Sequence, residues 1–150
     1  MGGICLRTVQ EIGELARSAI MPAPEDYDAS EFTSHLFAHN TYARTITLPA
    51  NYVAIGKIHR HSCINFIMSG SMVLIMTDGT RRVVTGPCMF VSEPGVQKAG
   101  YTLTPLVMTT VHATNGTQDI EEIEKAVTVE SLDQWLLEQE QLKQLENGEE

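Results

Sequence analysis

CINFIMSGSMVLIMTDGTRRVVT, residues 63–85, holds three short apolar runs cut by two turn signals. The runs 63–68, 71–77 and 80–85 have strand length, and Ser69-Gly70-Ser71 and Asp78-Gly79 divide them. Asp-Gly between two such runs is a strong hairpin signal, because the tight turn needs positive φ and glycine supplies it without steric cost. Working outward, the same texture continues through 42–49, 52–59, 88–91, 96–103 and 106–113. Pro49-Ala50-Asn51, Gly86-Pro87 and Pro94-Gly95 punctuate these runs, and no helical period intervenes. Short strands at this spacing predict an all-β core, an antiparallel sandwich or jelly-roll barrel.

Helical texture flanks this core. Thr8 and Glu11 have capping-box spacing, and Val9, Ile12, Leu15, Ala16 and Ile20 follow at helical intervals until Pro22 and Pro24 stop the pattern. Beyond the strands, Ser131 and Gln134 repeat the capping-box spacing, and Leu132, Trp135, Leu136, Leu142 and Leu145 form an apolar stripe. The expected organisation is an N-terminal helix and linker over 1–34, a barrel over 35–115, and an acidic helical tail over 116–150. The stripe is expected to pack on the barrel or on a second subunit, which makes a homodimer the expected assembly.

Composition narrows the class. With 43% hydrophobic and 19% charged residues, a chain of 150 can bury a real core, which excludes global disorder. No apolar run approaches the ~20 residues of a membrane helix, and the first twenty residues lack the pattern of a signal peptide. Three scattered cysteines, Cys5, Cys63 and Cys88, fit reduced thiols in a cytoplasm better than a disulfide framework. The net charge of −9 divides unevenly: −4 over 1–34, +4 over 35–115 and −9 over 116–150. An acidic exterior argues against long nucleic acid as a partner, while the basic middle suits a small anion.

The chemistry concentrates in GKIHRHSCINFIMSG, residues 56–70. His59 and His61 lie two apart in an expected strand, so both rings would share one face, suited to a metal, a proton transfer or an anion. Lys57 would join them if the strand is regular, and Arg60 would point the other way. Cys63 shares the histidine parity, which leaves an activated thiol as one reading and a buried structural thiol as the commoner one.

This segment resembles the first cupin motif, Gly-x5-His-x-His-x3,4-Glu-x6-Gly, and GPCMFVSEPGVQK (86–98) resembles the second, Gly-x5-Pro-x-Gly-x2-His-x3-Asn. The resemblance spans roughly 42–113 and implies a cupin-type jelly-roll barrel. The wider chain resembles small cupin-like proteins of bacteriophages, which implies a host cytoplasm as location. The family's metal ligands are the two motif-one histidines, its Glu and the motif-two His. Here Asn65 stands at the Glu position and Lys98 at the His position. An amide is a poorer ligand than a carboxylate, and an ammonium opposes a cation, so no cofactor is expected. A divalent metal, if held, would use His59, His61 and a third histidine, best His112; His35 and His39 lie in loop-like sequence.

Without a metal, His59, His61, Lys98, Lys57 and Arg44, with Asn65, Tyr42, Gln97 and His112, read as a donor-rich lining. Such a lining matches phosphate or carboxylate through charge-assisted hydrogen bonds, and Tyr42 offers a ring for stacking. The expected function is binding of a small phosphate-bearing or nucleotide-derived anion, in a phage setting as a sponge for a host signalling nucleotide. The alternative is a metal-dependent cupin enzyme, an isomerase, lyase or dioxygenase.

Overall fold

The computed structural model describes residues 28–76 and 78–148. A short 3-10 helix, Ala29–Phe32, opens under an Asp28 cap whose side chain accepts from the Ser30 N–H. The strands are β1 (Thr33–Ala38), β2 (Thr41–Leu48), β3 (Val53–Ile55), β4 (Ile58–His59), β5 (Cys63–Ser69), β6 (Ser71–Ile75), β7 (Arg81–Thr85), β8 (Cys88–Ser92), β9 (Ala99–Thr102), β10 (Leu106–Ala113) and β11 (Thr128–Val129). Helices α1 (Ile120–Val127) and α2 (Leu132–Asn147) flank β11.

All pairings are antiparallel. One sheet runs β1-β2-β10-β5-β8, a second β3-β9-β6-β7, and β4 pairs with β11 in a small third. After the β1-β2 hairpin the chain passes repeatedly from one large sheet to the other, which makes a jelly-roll barrel with helical extensions. The turn from β5 into β6 requires Gly70 (φ 89°): a Cβ there would strike the Pro105 carbonyl. Asp78-Gly79 forms the expected β6-β7 hairpin, with Asp78 accepting from the Thr80 N–H.

The period of two explains the core. Leu48, Ile67 and Leu106 on the five-stranded sheet meet Met72, Leu74 and Val84 on the four-stranded sheet. Leu106 and Ile67 are 0% and 1% exposed, and each such side chain contributes about 1.5–3 kcal/mol through burial. On the opposite face of the five-stranded sheet, register aligns Leu36, Ala43, Val111, Ile64 and Val91 in one uncharged row.

Both helices are placed by their caps. Asp119 accepts from the N–H groups of Glu121 and Glu122, and α1 buries Ile123 and Val127 against Tyr42 and Phe37. Ser131 accepts from the Gln134 N–H, as the capping-box spacing predicts, and the Gln134 side chain accepts from the Glu130 N–H. The α2 helix meets the barrel where Trp135 covers Gly95 and Glu138 pairs with Arg60 at 2.8 Å. Leu132, Leu136, Leu142 and Leu145 of the stripe stay exposed. Among the described residues no helix is long and apolar enough to cross a membrane.

Three local expectations change. The stretch holding His35 is strand β1 rather than loop, hidden in the sequence because Leu36 faces outward (72% exposed) while His35 and Phe37 are half-buried. The run 52–59 is two strands interrupted at Gly56-Lys57, and β4 ends at His59. The short β11 carries no strand signal of its own and forms by pairing with β4. The expected helix over 8–20 lies outside the described residues.

Candidate functional site

Inside the barrel, β2, β10, β5 and β8 of the five-stranded sheet each change character along their length. Towards one end the inner positions are Ile46 and Leu48 on β2, Leu106 and Met108 on β10, Ile67 on β5 and Cys88 on β8. Two or four residues along, the inner positions become Tyr42 and Arg44, Thr110 and His112, Cys63 and Asn65, and Ser92. Register brings these together: His112 faces Tyr42, Thr110 faces both Arg44 and Asn65, and Cys63 faces Ser92. The two-residue β4, anchored by β11, adds His59 from across the barrel mouth.

A hydrogen-bonded relay joins the strands. The Thr110 hydroxyl donates to Asn65 Oδ1 (3.1 Å), Asn65 Nδ2 donates to Ser92 Oγ (2.8 Å), and Lys98 Nζ donates to the same Ser92 Oγ (2.8 Å). Ser92 in turn hydrogen-bonds Cys63. Lys98 also lies 5.0 Å from the centroid of Phe90, a cation–π contact. Beside the relay, His59 Nδ1 lies 3.6 Å from Cys63 Sγ, and the His59 and His112 rings meet edge-on with centroids 5.1 Å apart.

Burial sets the charge states. His112 is pushed down to about 4, first by burial and then by the neighbouring His59 and Arg44. His59 is also lowered, by burial first, then Lys98 and Arg44. His112 is therefore a neutral imidazole at physiological pH, and the cation inside the mouth is Lys98. Burial lowers the Lys98 ammonium, and the nearby Cys63 and Glu93 raise it. The Cys63 thiol is raised by burial, against hydrogen bonds from Ser92 and Asn65 and the Lys98 charge.

The structure brings together only part of the expected lining. His59, Asn65, Lys98 and His112 converge, with Arg44 exposed nearby and its charge felt at both histidines. His61 does not join them: it is exposed and follows the end of β4, so strand alternation does not carry it to the face of His59. Lys57 sits in the break between β3 and β4 and pairs with Glu124 of α1 at 3.6 Å, away from the relay. Gln97 spends its amide on the Gly56 carbonyl at 3.0 Å. Tyr42 is 3% exposed, stacked on Phe37, His35 and His112, and its hydroxyl meets His35 Nδ1 at 2.6 Å; it is a wall of the site with no free ring face. Asn65 positions Ser92 and Thr110 rather than facing a ligand as a free donor.

The sequence reading omitted Ser92 and Thr110 and favoured a structural place for Cys63 over an activated thiol. Continuing the alternation Cys88, Phe90 one step further would have reached Ser92. The family's metal set does not fit here: one position holds an amide engaged at both ends, one an ammonium, and His61 stands apart.

No family model matches the chain, and no curated protein matches it. Among solved structures the chain is similar to a cupin-2 domain containing protein from Shewanella frigidimarina, at 8% identity and a TM-score of 0.47, covering 54% of this chain and 78% of that one. It is similar to the Cnp3 cupin domain of Schizosaccharomyces pombe at 15% identity and a TM-score of 0.48, covering 62% and 68%. A protein with a double-stranded beta-helix domain from Klebsiella pneumoniae matches at 12% identity and a TM-score of 0.49, covering 63% and 95%. Two of these three similar structures are cupin domains by their own description.

Proposed function

We propose that the protein is a cupin-fold binding protein that holds a small phosphate-bearing anion, nucleotide-derived in the fullest form of the reading, without turning it over. One observation carries this: among the described residues the half-buried Lys98 ammonium has no carboxylate within 4.0 Å. Glu93 acts on this partly desolvated cation only from beyond ion-pair contact, and an anionic ligand would supply a direct partner. Ser92 holds the ammonium in place, and Arg44 adds a second positive charge nearby. The neutral His112 supplies hydrogen bonds rather than charge.

Calorimetric titration of the chelator-treated protein with inorganic phosphate, mono- and dinucleotides, sugar phosphates and small carboxylates tests this reading. Binding should weaken as salt rises, because the attraction is between a part-exposed cation and an anion. Absence of binding across the panel contradicts it.

We also propose a homodimer. Its support is the exposed leucine stripe of α2 and the uncharged outer row of the five-stranded sheet. Light scattering at micromolar concentration should give twice the chain mass of 16.6 kDa, and a monomer contradicts the proposal.

A further inference from the structure

We propose that His59, Cys63 and His112 form a three-donor site for a divalent transition metal of the zinc type, built from a different ligand set than the family's. The ligand atoms of the three side chains all lie within 4.8 Å of one another. Within the set, Cys63 Sγ lies 3.6 Å from His59 Nδ1, a separation compatible with shared ligation. Two ligands of one tetrahedral zinc, with Zn–S about 2.3 Å and Zn–N about 2.0–2.1 Å, stand roughly 3.5 Å apart. In the ion-free protein the same spacing serves a thiol–imidazole hydrogen bond, so the site is carried by the convergence of all three donors, with the His112 ring edge-on to His59 at 5.1 Å between centroids.

The chemistry of the donors fits as well as their geometry. One thiolate and two imidazoles suit zinc and its soft neighbours rather than magnesium or calcium, which take oxygen. The three donors come from three elements: Cys63 starts β5, His112 is near the end of β10, and His59 ends β4. Each is therefore fixed by a separate backbone ladder, so the set is held before any ion arrives. The outer layer is present too. Ser92 hydrogen-bonds Cys63, and is itself oriented by Asn65 and Lys98. Partners of this kind fix ligand orientation, and their loss typically costs 10–100-fold in metal affinity.

The Lys98 ammonium opposes a cation. The charge count answers this: the Cys63 thiolate offsets one positive charge, leaving a metal and an ammonium together at +2. Three protein donors also leave a tetrahedral ion one open position. An anion in that position would neutralise both cations. The metal proposal does not rest on the anion reading, since the donor spacing stands without any ligand at Lys98.

The test uses the full chain, stripped with chelator and titrated with Co²⁺ alone, then with Zn²⁺. The expected result is one Co²⁺ per chain with a thiolate-to-cobalt charge-transfer band in the near ultraviolet, bleached by Zn²⁺. Cys63→Ser should abolish the band and weaken binding by at least about 100-fold, beyond the loss of an outer-layer partner, and Cys88→Ser should do neither. A measurement on the unsubstituted protein covers the case in which Cys63→Ser does not fold: Zn²⁺ should slow alkylation of Cys63 and leave Cys88 unaffected. Sub-stoichiometric cobalt, a band that persists in Cys63→Ser, or equal Cys63 alkylation with and without Zn²⁺ overturns the proposal. Phosphate binding by the chelator-treated protein is read separately, so failure of the metal site and failure of the anion site are distinguishable.

Discussion

The two ends of the barrel interior are built from the same strands and by the same alternation, yet one end is apolar and the other holds the hydrogen-bonded relay and the histidine pair. On β10, Leu106 and Met108 pack into the core while Thr110 and His112 join the relay and the histidine pair. On β5, Ile67 is core, and Asn65 and Cys63 are site. At the apolar end, tight packing needs no partner beyond its neighbours. At the polar end every buried group must find a hydrogen bond, and among the described residues no buried side-chain nitrogen or oxygen lacks one. What separates packing positions from polar, hydrogen-bonded ones here is height along the strand, since the facing is shared.

Breaking the apolar end should have the largest effect. Leu106, 0% exposed, sits where both sheets meet, so Leu106→Ala should lower stability by about 2–5 kcal/mol through lost burial and a residual cavity. Urea denaturation measures it. Phosphate affinity of the folded fraction should be unchanged, and a large affinity loss would mean the two ends are not separable.

The polar end should instead reveal itself through pH. His112 has a folded value of about 4 against an ordinary 6.5. Between these values the unfolded chain takes up a proton that the folded chain refuses. Stability in chelator should therefore be intact above pH 6.5 and fall as pH drops towards 4. His112→Gln removes this component, and stability curves that superimpose for both proteins would contradict the assignment.

A smaller effect is expected where α2 closes on the mouth. Gly95 has φ of 76°, donates its N–H to the His59 carbonyl (2.9 Å) and lies under Trp135, the single tryptophan. Gly95→Ala should cost on the order of 1 kcal/mol from backbone strain, with more if the indole cannot yield. Its more specific signature is a red shift in tryptophan emission as the indole leaves the barrel. Unchanged emission would mean that α2 is not seated there.

Much of the fold was legible because turn chemistry is local: glycine, proline and Asp-Gly cut the strands close to where β5 to β8 begin and end. The β1 strand escaped because its one aliphatic residue at mid-strand, Leu36, points outward. The site was legible only in part. Asn65 and Lys98 stood out as departures from the cupin motifs, and both are in the relay. For His61 and Lys57 the expected facing assumed alternation through 52–61, where the strand is interrupted at Gly56-Lys57 and ends at His59. Ser92, Thr110 and the nearness of Cys63 to His112 are facts of register between β8, β5 and β10. No single strand's sequence contains them.

Lys98→Met tests the central claim, that the polar end is a binding site organised around an ammonium awaiting an anion. Methionine keeps much of the side-chain length and removes the charge. Titrated in chelator with whichever panel anion binds the unsubstituted protein, the variant should lose about 1.5–3 kcal/mol of binding, the worth of one charged hydrogen bond. Its unfolding midpoint should hold or rise, because a half-buried ammonium is no longer desolvated. Unchanged affinity in a folded Lys98→Met variant would contradict the account.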